Sequence, residues 1–286
     1  MNVYQIVTDR ILTALSNGIV PWRKPWATHA PKNLVSGREY RGVNVLLLSA
    51  AHYECAYWLT FNQARNLGGT VKKGERGTPI VYWKVSEERN GKGEMEKSFL
   101  LRYFTVFNVN QCEGIEAPPA VFRPAFNPIE ECERIVTSYV DRPRIDHGGN
   151  VACYIPSLDR VQLPTREAFH SPAEYYSTLF HELAHSTGAA SRLSRKGITD
   201  ASSFASHAYS FEELIAECAS AFLCTEAGIA GSTIENSAAY IASWGKKLRS
   251  EPRWIVQASA QAAKAADLVL GMAASGSNEE QAAEAA

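Results

Sequence analysis

The sequence predicts an α+β protein in two domains. A small N-terminal α+β domain covers residues 1–115 and a second domain covers 129–273, with a linker at 116–128 and a disordered tail at 274–286. Three observations carry this. The 286 residues exceed the usual size of one domain, about 150 residues. Apolar spacing alternates between a helical period and a pair of strands in the first part, and is mainly helical in the second. Pro118, Pro119, Pro124 and Pro128 crowd into residues 113–129, where neither pattern continues.

The elements follow in chain order. Ile6, Val7, Ile11, Leu12 and Leu15 recur at helical spacing, and Asn17-Gly18 ends that helix. The segment 21–37 is rich in Pro, Trp and basic residues and reads as an ordered loop. Short helices are expected over 43–51 and 61–66, the second stopped by Gly68-Gly69. Strands at 80–83 and 99–109 form a hairpin joined by the polar stretch 86–97. A helix runs from Ile129 to about Val140, and one or two strands lie within 151–161 around Ser157-Leu158-Asp159. Ser171, Pro172 and Glu174 open a helix that reaches His185; a hydroxyl cap, a proline at the first position and an acid in the first turn are start signals. A further helix over 209–227 is expected to start with Ser210 as cap and Glu213 completing a capping box. The last helix spans 255–270.

Composition excludes several classes. No apolar run is long enough to cross a bilayer. The opening Met1-Asn2-Val3-Tyr4-Gln5 lacks the basic and apolar regions of a secretory signal. Six cysteines stand without a CxxC pair, which fits a reducing cytoplasm and not a disulfide framework or a cysteine-based zinc finger. The net charge of −1 hides an asymmetry. Residues 1–120 carry 15 Lys and Arg against 10 Asp and Glu; residues 121–286 carry 14 against 20. The basic part is the part that would meet a polyanion. The net −6 of the rest is too small to make it a DNA mimic.

The sharpest motif is His181-Glu182-Leu183-Ala184-His185. On a helix, positions i and i+4 share a face, so both imidazoles can point at one ion. Glu182 then stands beside the open coordination position, where a carboxylate can act as general base. A longer histidine pattern, HExxHxxGxxH, fails here because its last position is Ser191. The third ligand is therefore sought downstream in Phe211-Glu212-Glu213-Leu214-Ile215-Ala216-Glu217. This looks like the gluzincin arrangement, with Glu213 as ligand and Glu217, one turn on, as the acid that accepts an N–H from a ligand histidine. Glu212 competes for the ligand role, with His207 and Asp200 as further alternatives. The ion expected is zinc, or another divalent metal such as manganese that takes similar ligands. Tyr209 and His207 are candidate oxyanion donors. The strand within 152–156 or 159–163 would align an extended peptide by strand addition.

The N-terminal part offers a different chemistry. Trp22, Arg23, Lys24 and Trp26 place two indoles around two cations, and Arg38, Tyr40, Arg41, Lys72, Lys73 and Arg76 follow. Cations for phosphate and aromatic faces for bases are what single-stranded DNA binds. No sequence-reading motif accompanies them, so binding should be largely sequence-independent and salt-dependent. The competing reading holds Trp22 and Trp26 as core residues anchored by the prolines.

These segments together resemble a known family. Pro21-Trp22-Arg23-Lys24-Pro25-Trp26, Ser36-Gly37-Arg38-Glu39-Tyr40-Arg41-Gly42-Val43-Asn44 and Lys73-Gly74-Glu75-Arg76-Gly77-Thr78-Pro79-Ile80-Val81-Tyr82-Trp83, followed by HELAHSTG and EELIAE, are similar to the plasmid antirestriction proteins of the ArdC family. The first segments also resemble the N-terminal region of TraC-type plasmid primases. The resemblance implies an N-terminal single-stranded-DNA-binding domain and a C-terminal zincin-like metallopeptidase domain related to the Spartan-type core. It further implies protection of incoming plasmid DNA from restriction enzymes during conjugation. Such a protein would meet single-stranded DNA and either a protein substrate or a restriction enzyme, and no membrane. Spartan-type enzymes use a third histidine that this sequence lacks at the matching place, so that likeness is one of fold.

Overall fold

The computed structural model describes residues 2–23, 30–51, 53–89, 95–118, 128–200, 207–229 and 238–272. Helix α1 (Val3–Ser16) starts where the Asn2 side chain accepts from the Tyr4 amide and buries Val7, Ile11, Ala14 and Leu15 along one stripe. It ends at Asn17-Gly18, as the sequence predicts. Gly18 takes φ +75° so that the Ile19 amide can return to the Ala14 carbonyl at 2.9 Å. A 3₁₀ turn over Pro21–Arg23 follows.

Next come β1 (Lys32–Asn33), α2 (Val43–Ser49), β2 (Tyr57–Thr60), α3 (Phe61–Asn66), β3 (Thr70–Val71), β4 (Thr78–Arg89), β5 (Met95–Asn108) and β6 (Cys112–Glu113). Thr60 and Gln63 form a reciprocal capping box at the start of α3. Four strands make a sheet in the order β1-β2-β5-β4, in which β1 runs parallel to β2 and the other pairs are antiparallel. The hairpin is longer than the apolar pattern predicts. Pairing runs from Thr78 opposite Val106 to Arg89 opposite Met95, through the polar stretch expected to be loop. A two-stranded ladder needs no apolar face once its register is set by the inner residues.

The second part holds α4 (Pro128–Ser138), β7 (Arg144–His147), β8 (Cys153–Ile155), β9 (Arg160–Leu163), α5 (Pro172–Ser186), α6 (Lys196–Thr199), α7 (His207–Ala227), α8 (Ala238–Ser250) and α9 (Trp254–Val269). Strands β7, β9 and β8, in that order, form a small sheet with β8 at an edge. A 3₁₀ turn over Pro156–Leu158 and Asp159 at φ +44° join β8 to β9, so the region read as one or two strands is two. Strand β7 escapes the periodicity because Ile145 is its only apolar residue. Helix α8 escapes it because Gly245 interrupts its interior. Helix α7 begins at His207, so Ser210 lies inside it and caps nothing. The predicted capping box is absent, and Glu213 is left to face another helix. The expected tail and most of the linker lie outside the described residues.

The two parts share one core. Val7, Ile11 and Leu15 of α1 and Leu46 and Leu47 of α2 pack with Leu214, Ile215, Cys218 and Ala219 of α7, Trp244 and Leu248 of α8, and Ala258, Ala262 and Ala265 of α9. The alanines of α9 let helices approach closely on both sides. A second cluster, around Tyr139, Tyr176, Phe180, Leu183 and Leu223, fixes α5 between α4, the small sheet and α7. Arg41, ahead of α2, forms an ion pair with the buried Asp267 of α9.

Candidate functional site

The centre of the second part rests on α5. Ser171 caps it by accepting from the Glu174 amide at 3.2 Å, and Pro172 is its first residue. Tyr176, Leu179, Phe180, Leu183 and Ala184 are buried, as the spacing predicts. This burial aims the opposite stripe, His181 and His185, at α7.

There the two imidazoles meet Glu213. His181 Nε2 lies 3.1 Å from His185 Nε2; Glu213 places Oε2 3.5 Å from the first ring and Oε1 3.4 Å from the second. Three ligands of a tetrahedral ion with bonds of about 2.0–2.1 Å stand roughly 3.3–3.4 Å apart. The donor set therefore has the size and chemistry of a His₂Glu site. It is also the one such cluster of three or more ligand-type side chains among the described residues. Neither His207 nor Asp200 belongs to it. His207 is exposed, faces Glu251 at 3.3 Å and packs edge-on against Trp254.

Glu212 lies outside that cluster and supports His185 from behind. Its Oε1 lies 3.4 Å from His185 Nδ1, on the far side of the ring from Glu213. Two hydrogen bonds from Arg195, 2.9 Å from Nε and 2.6 Å from Nη2, hold that carboxylate. Arg195 also donates to Thr187 Oγ1 at 2.7 Å and to the Ala184 carbonyl at 2.8 Å. The chain Arg195–Glu212–His185 orients the second imidazole, which is the contact the sequence assigns to Glu217. Glu217 is half-buried one turn beyond Glu213. Arg195 was missed because no spacing rule points to it. A signal did exist in Thr187-Gly188 after the motif: a Cβ at Gly188 would stand 3.0 Å from Arg195 Nη2 and 2.6 Å from Ile198. The glycine makes room for the guanidinium.

Charge in this cluster is strongly coupled. Burial alone would lower the His185 pKa, but hydrogen bonds to Glu212 and Glu213 outweigh it and push it up to about 10. Burial would raise the two acids, yet their partners hold both below the usual carboxylate range: Arg195 and His185 for Glu212, the two imidazoles for Glu213. Glu182 is buried, and its Oε2 accepts from the backbone N–H of Tyr154 at 2.8 Å, on edge strand β8. Tyr209 lies one turn before Glu213. Burial and its hydrogen bond to Glu213 raise its hydroxyl, so it stays a donor at neutral pH.

The N-terminal residues separate into groups. Trp22 is 2% exposed and packs edge-on against Trp244, 6.0 Å between centroids. It is a core residue and offers no stacking face. Tyr40 is buried too, with its hydroxyl 3.4 Å from Asn33 Nδ2. Arg41 is committed to Asp267. The shared core draws Trp22 inward, a smaller cluster with Leu48, Trp58, Ile80 and Val106 draws in Tyr40, and the ion pair holds Arg41. Arg38, Lys72, Lys73 and Arg76 are exposed. Lys24, Trp26 and the Arg23 side chain lie outside the described residues. Exposed or half-exposed rings do occur on this part, but elsewhere: Phe61 and Tyr103 are half exposed, and Tyr82 stacks on Phe104 with 4.8 Å between centroids and 7° between planes.

Comparisons with known proteins agree with both halves. Residues 1–107 match the model of the N-terminal domain of anti-restriction factor ArdC, and 130–261 match that of the zincin-like metallopeptidases. Protein y4eC of Sinorhizobium fredii is 37% identical over 285 residues, covering 93% of this chain and 91% of that protein. DNA primase TraC of Escherichia coli is 37% identical over 290 residues, but this chain spans 20% of the primase. The metal-free crystal structure of antirestriction protein ArdC from plasmid R388 superposes with a TM-score of 0.76 at 38% identity, covering 94% of this chain and 97% of that one. The Mn(II)-bound structure of the same protein gives 0.76 at 36% identity, with the same coverage. The zincin-like domain and the Mn(II)-bound relative support a divalent metal in this chain, and the His181–His185–Glu213 cluster could hold it. From its sequence likeness over nearly the whole length and from its fold, this chain belongs to the ArdC antirestriction family.

Proposed function

We propose that the protein binds single-stranded DNA through its N-terminal part and protects incoming plasmid DNA from restriction in the cytoplasm during conjugation, and that its second part is a zinc-dependent peptidase. The observation that carries the peptidase reading is the meeting of His181, His185 and Glu213 beside the buried carboxylate of Glu182. A zinc ion held by those three would polarise a carbonyl and lower the pKa of a water there to about 7. Glu182 would serve as the base that takes a proton from water and returns it to the leaving nitrogen, with the Tyr154 amide holding its carboxylate. The Tyr209 hydroxyl is the donor for charge developing on the carbonyl oxygen, in preference to His207. Among the described residues β8 is an edge of the small sheet; the Tyr154 N–H there is taken by Glu182, so an extended peptide would pair with the outward groups that remain on that edge.

The DNA reading rests on the exposed Arg38, Lys72, Lys73 and Arg76 together with the aromatic rings of the four-stranded sheet. The test compares full-length wild type with Glu182→Gln for metal content, peptide hydrolysis, single-strand binding across salt, and protection of transferred DNA. Retained metal with lost hydrolysis and lost protection supports a peptidase. Protection that survives Glu182→Gln makes the metal a staple of the fold and the protein a DNA-coating one.

A further inference from the structure

An open-mouthed cleft of ≈560 Å³, solvent at its mouth included, lies on the face of the four-stranded sheet that carries Tyr82 and Phe104. Asn33, Tyr40, Thr60 and Gln63 supply its inner polar lining; Asn44 is tied to the Val81 backbone, and the exposed Ser36, Arg38 and Glu39 add outer polar groups, with the Glu39 carboxylate 3.7 Å from Lys32 Nζ. Backbone donors fix how the two amides are turned. Asn33 Oδ1 accepts from the Val35 and Ser36 amides at 3.0 and 2.9 Å. Gln63 Oε1 accepts from the Thr60 amide at 2.9 Å and from Asn33 Nδ2 at 3.1 Å. Both carbonyl oxygens are thus filled, and both N–H groups of Asn33 are used, one on Gln63 and one on Tyr40. The inner cleft is left rich in donors: the Gln63 amide N–H groups, and the hydroxyls of Tyr40 and Thr60, each of which accepts one hydrogen bond from a neighbour and has its O–H to give. The rings of Tyr82 and Phe104 stack on one another beside them, each with one face turned away from its partner, and Ile80 and Val106 add apolar surface.

We propose that this cleft takes one unstacked base of a single strand and selects for carbonyl oxygens on its edge, as thymine presents them. A ring face turned away from its partner can stack any base. Donors in excess of acceptors in the inner cleft reward a carbonyl-bearing edge over an exocyclic amine, so adenine and cytosine are disfavoured. This deepens the single-strand-binding reading and rests on it: general affinity comes from the exposed cations, and the cleft adds a preference at one nucleotide.

The experiment measures binding of oligo-dT, oligo-dA and oligo-dC of equal length to the full chain at low salt. Wild type should prefer dT by roughly five- to tenfold, the lower range of one base-edge contact. Gln63→Glu keeps an oxygen for the Thr60 amide, so α3 stays capped, but removes the donors; Tyr40→Phe removes one hydroxyl. Both should bring the dT:dA ratio towards one, and a ratio taken within one variant is insensitive to any loss of folded protein. Tyr82→Ala should weaken all three oligomers alike. Equal wild-type binding of all three overturns the base pocket and leaves the single-strand reading standing. Failure to bind any of them overturns that reading itself. Thymidine monophosphate competing as tightly as the oligomer would overturn the assignment to a strand.

Discussion

The metal centre and the cleft on the N-terminal sheet are built in opposite ways. At the centre the charged side chains are tied to one another: Arg195 to Glu212, Glu212 to His185, and both imidazoles to Glu213. In the cleft the amide oxygens of Asn33 and Gln63 are filled and several donors are left over. The first is a rigid cage for one small cation, preformed by two long helices. The second is an open cleft with hydrogen-bond donors to spare. A tightly tied site should fail all at once when one tie is cut, whereas a surface with spare donors should lose selectivity gradually.

Cutting a tie at the centre is the strongest way to break that contrast. Glu212→Ala leaves Arg195 buried without its carboxylate, which should cost about 3–5 kcal/mol by chemical denaturation. The same change removes the support of His185 and should weaken metal binding by roughly 10- to 100-fold in a competition titration. Unchanged stability would mean that water reaches Arg195 and the cage is looser than described. Trp22→Ala probes the other side. As a core ring against Trp244 it should cost about 3–5 kcal/mol, while DNA affinity per folded molecule stays within about twofold; loss of one stacked base would cost about 1–3 kcal/mol of binding instead. Ser171→Ala, which removes the cap of α5, should destabilise by about 1 kcal/mol and leave the ligand geometry intact. The smallest effect belongs to the surface: Lys73→Gln should reduce the slope of log affinity against log salt by about one, uniformly across sequences.

What could be read without coordinates follows the same divide. The two histidines and Glu182 are set by the pitch of one helix, so their convergence is local and legible. Glu213 needs a second helix, but it comes from a short menu of downstream acids. Glu212 and Glu213 differ by one step around α7, and only the packing of that helix says which of them faces the ion. Arg195 enters through a loop with no period at all. Trp22, Tyr40 and Arg41 were legible as aromatic and basic but not as turned inward: Trp22 and Arg41 meet α8 and α9, more than 200 residues away in the chain, and Tyr40 is covered by Leu48, Trp58, Ile80 and Val106. Composition specifies a side chain's chemistry and leaves its direction to tertiary contacts.

The shared interior has a consequence for how such a protein can be divided. Helices α8 and α9, at the far end of the chain, complete the packing of α1 and α2 at its beginning, and the pair between Arg41 and Asp267 fastens them. A cut between the halves would therefore strip apolar surface from both products, and heating should melt the whole as one cooperative body. Whatever longer polypeptide carries this region must inherit it as a single cassette. The match to the primase is of that kind, since it takes in 93% of this chain and crosses the boundary between its two parts.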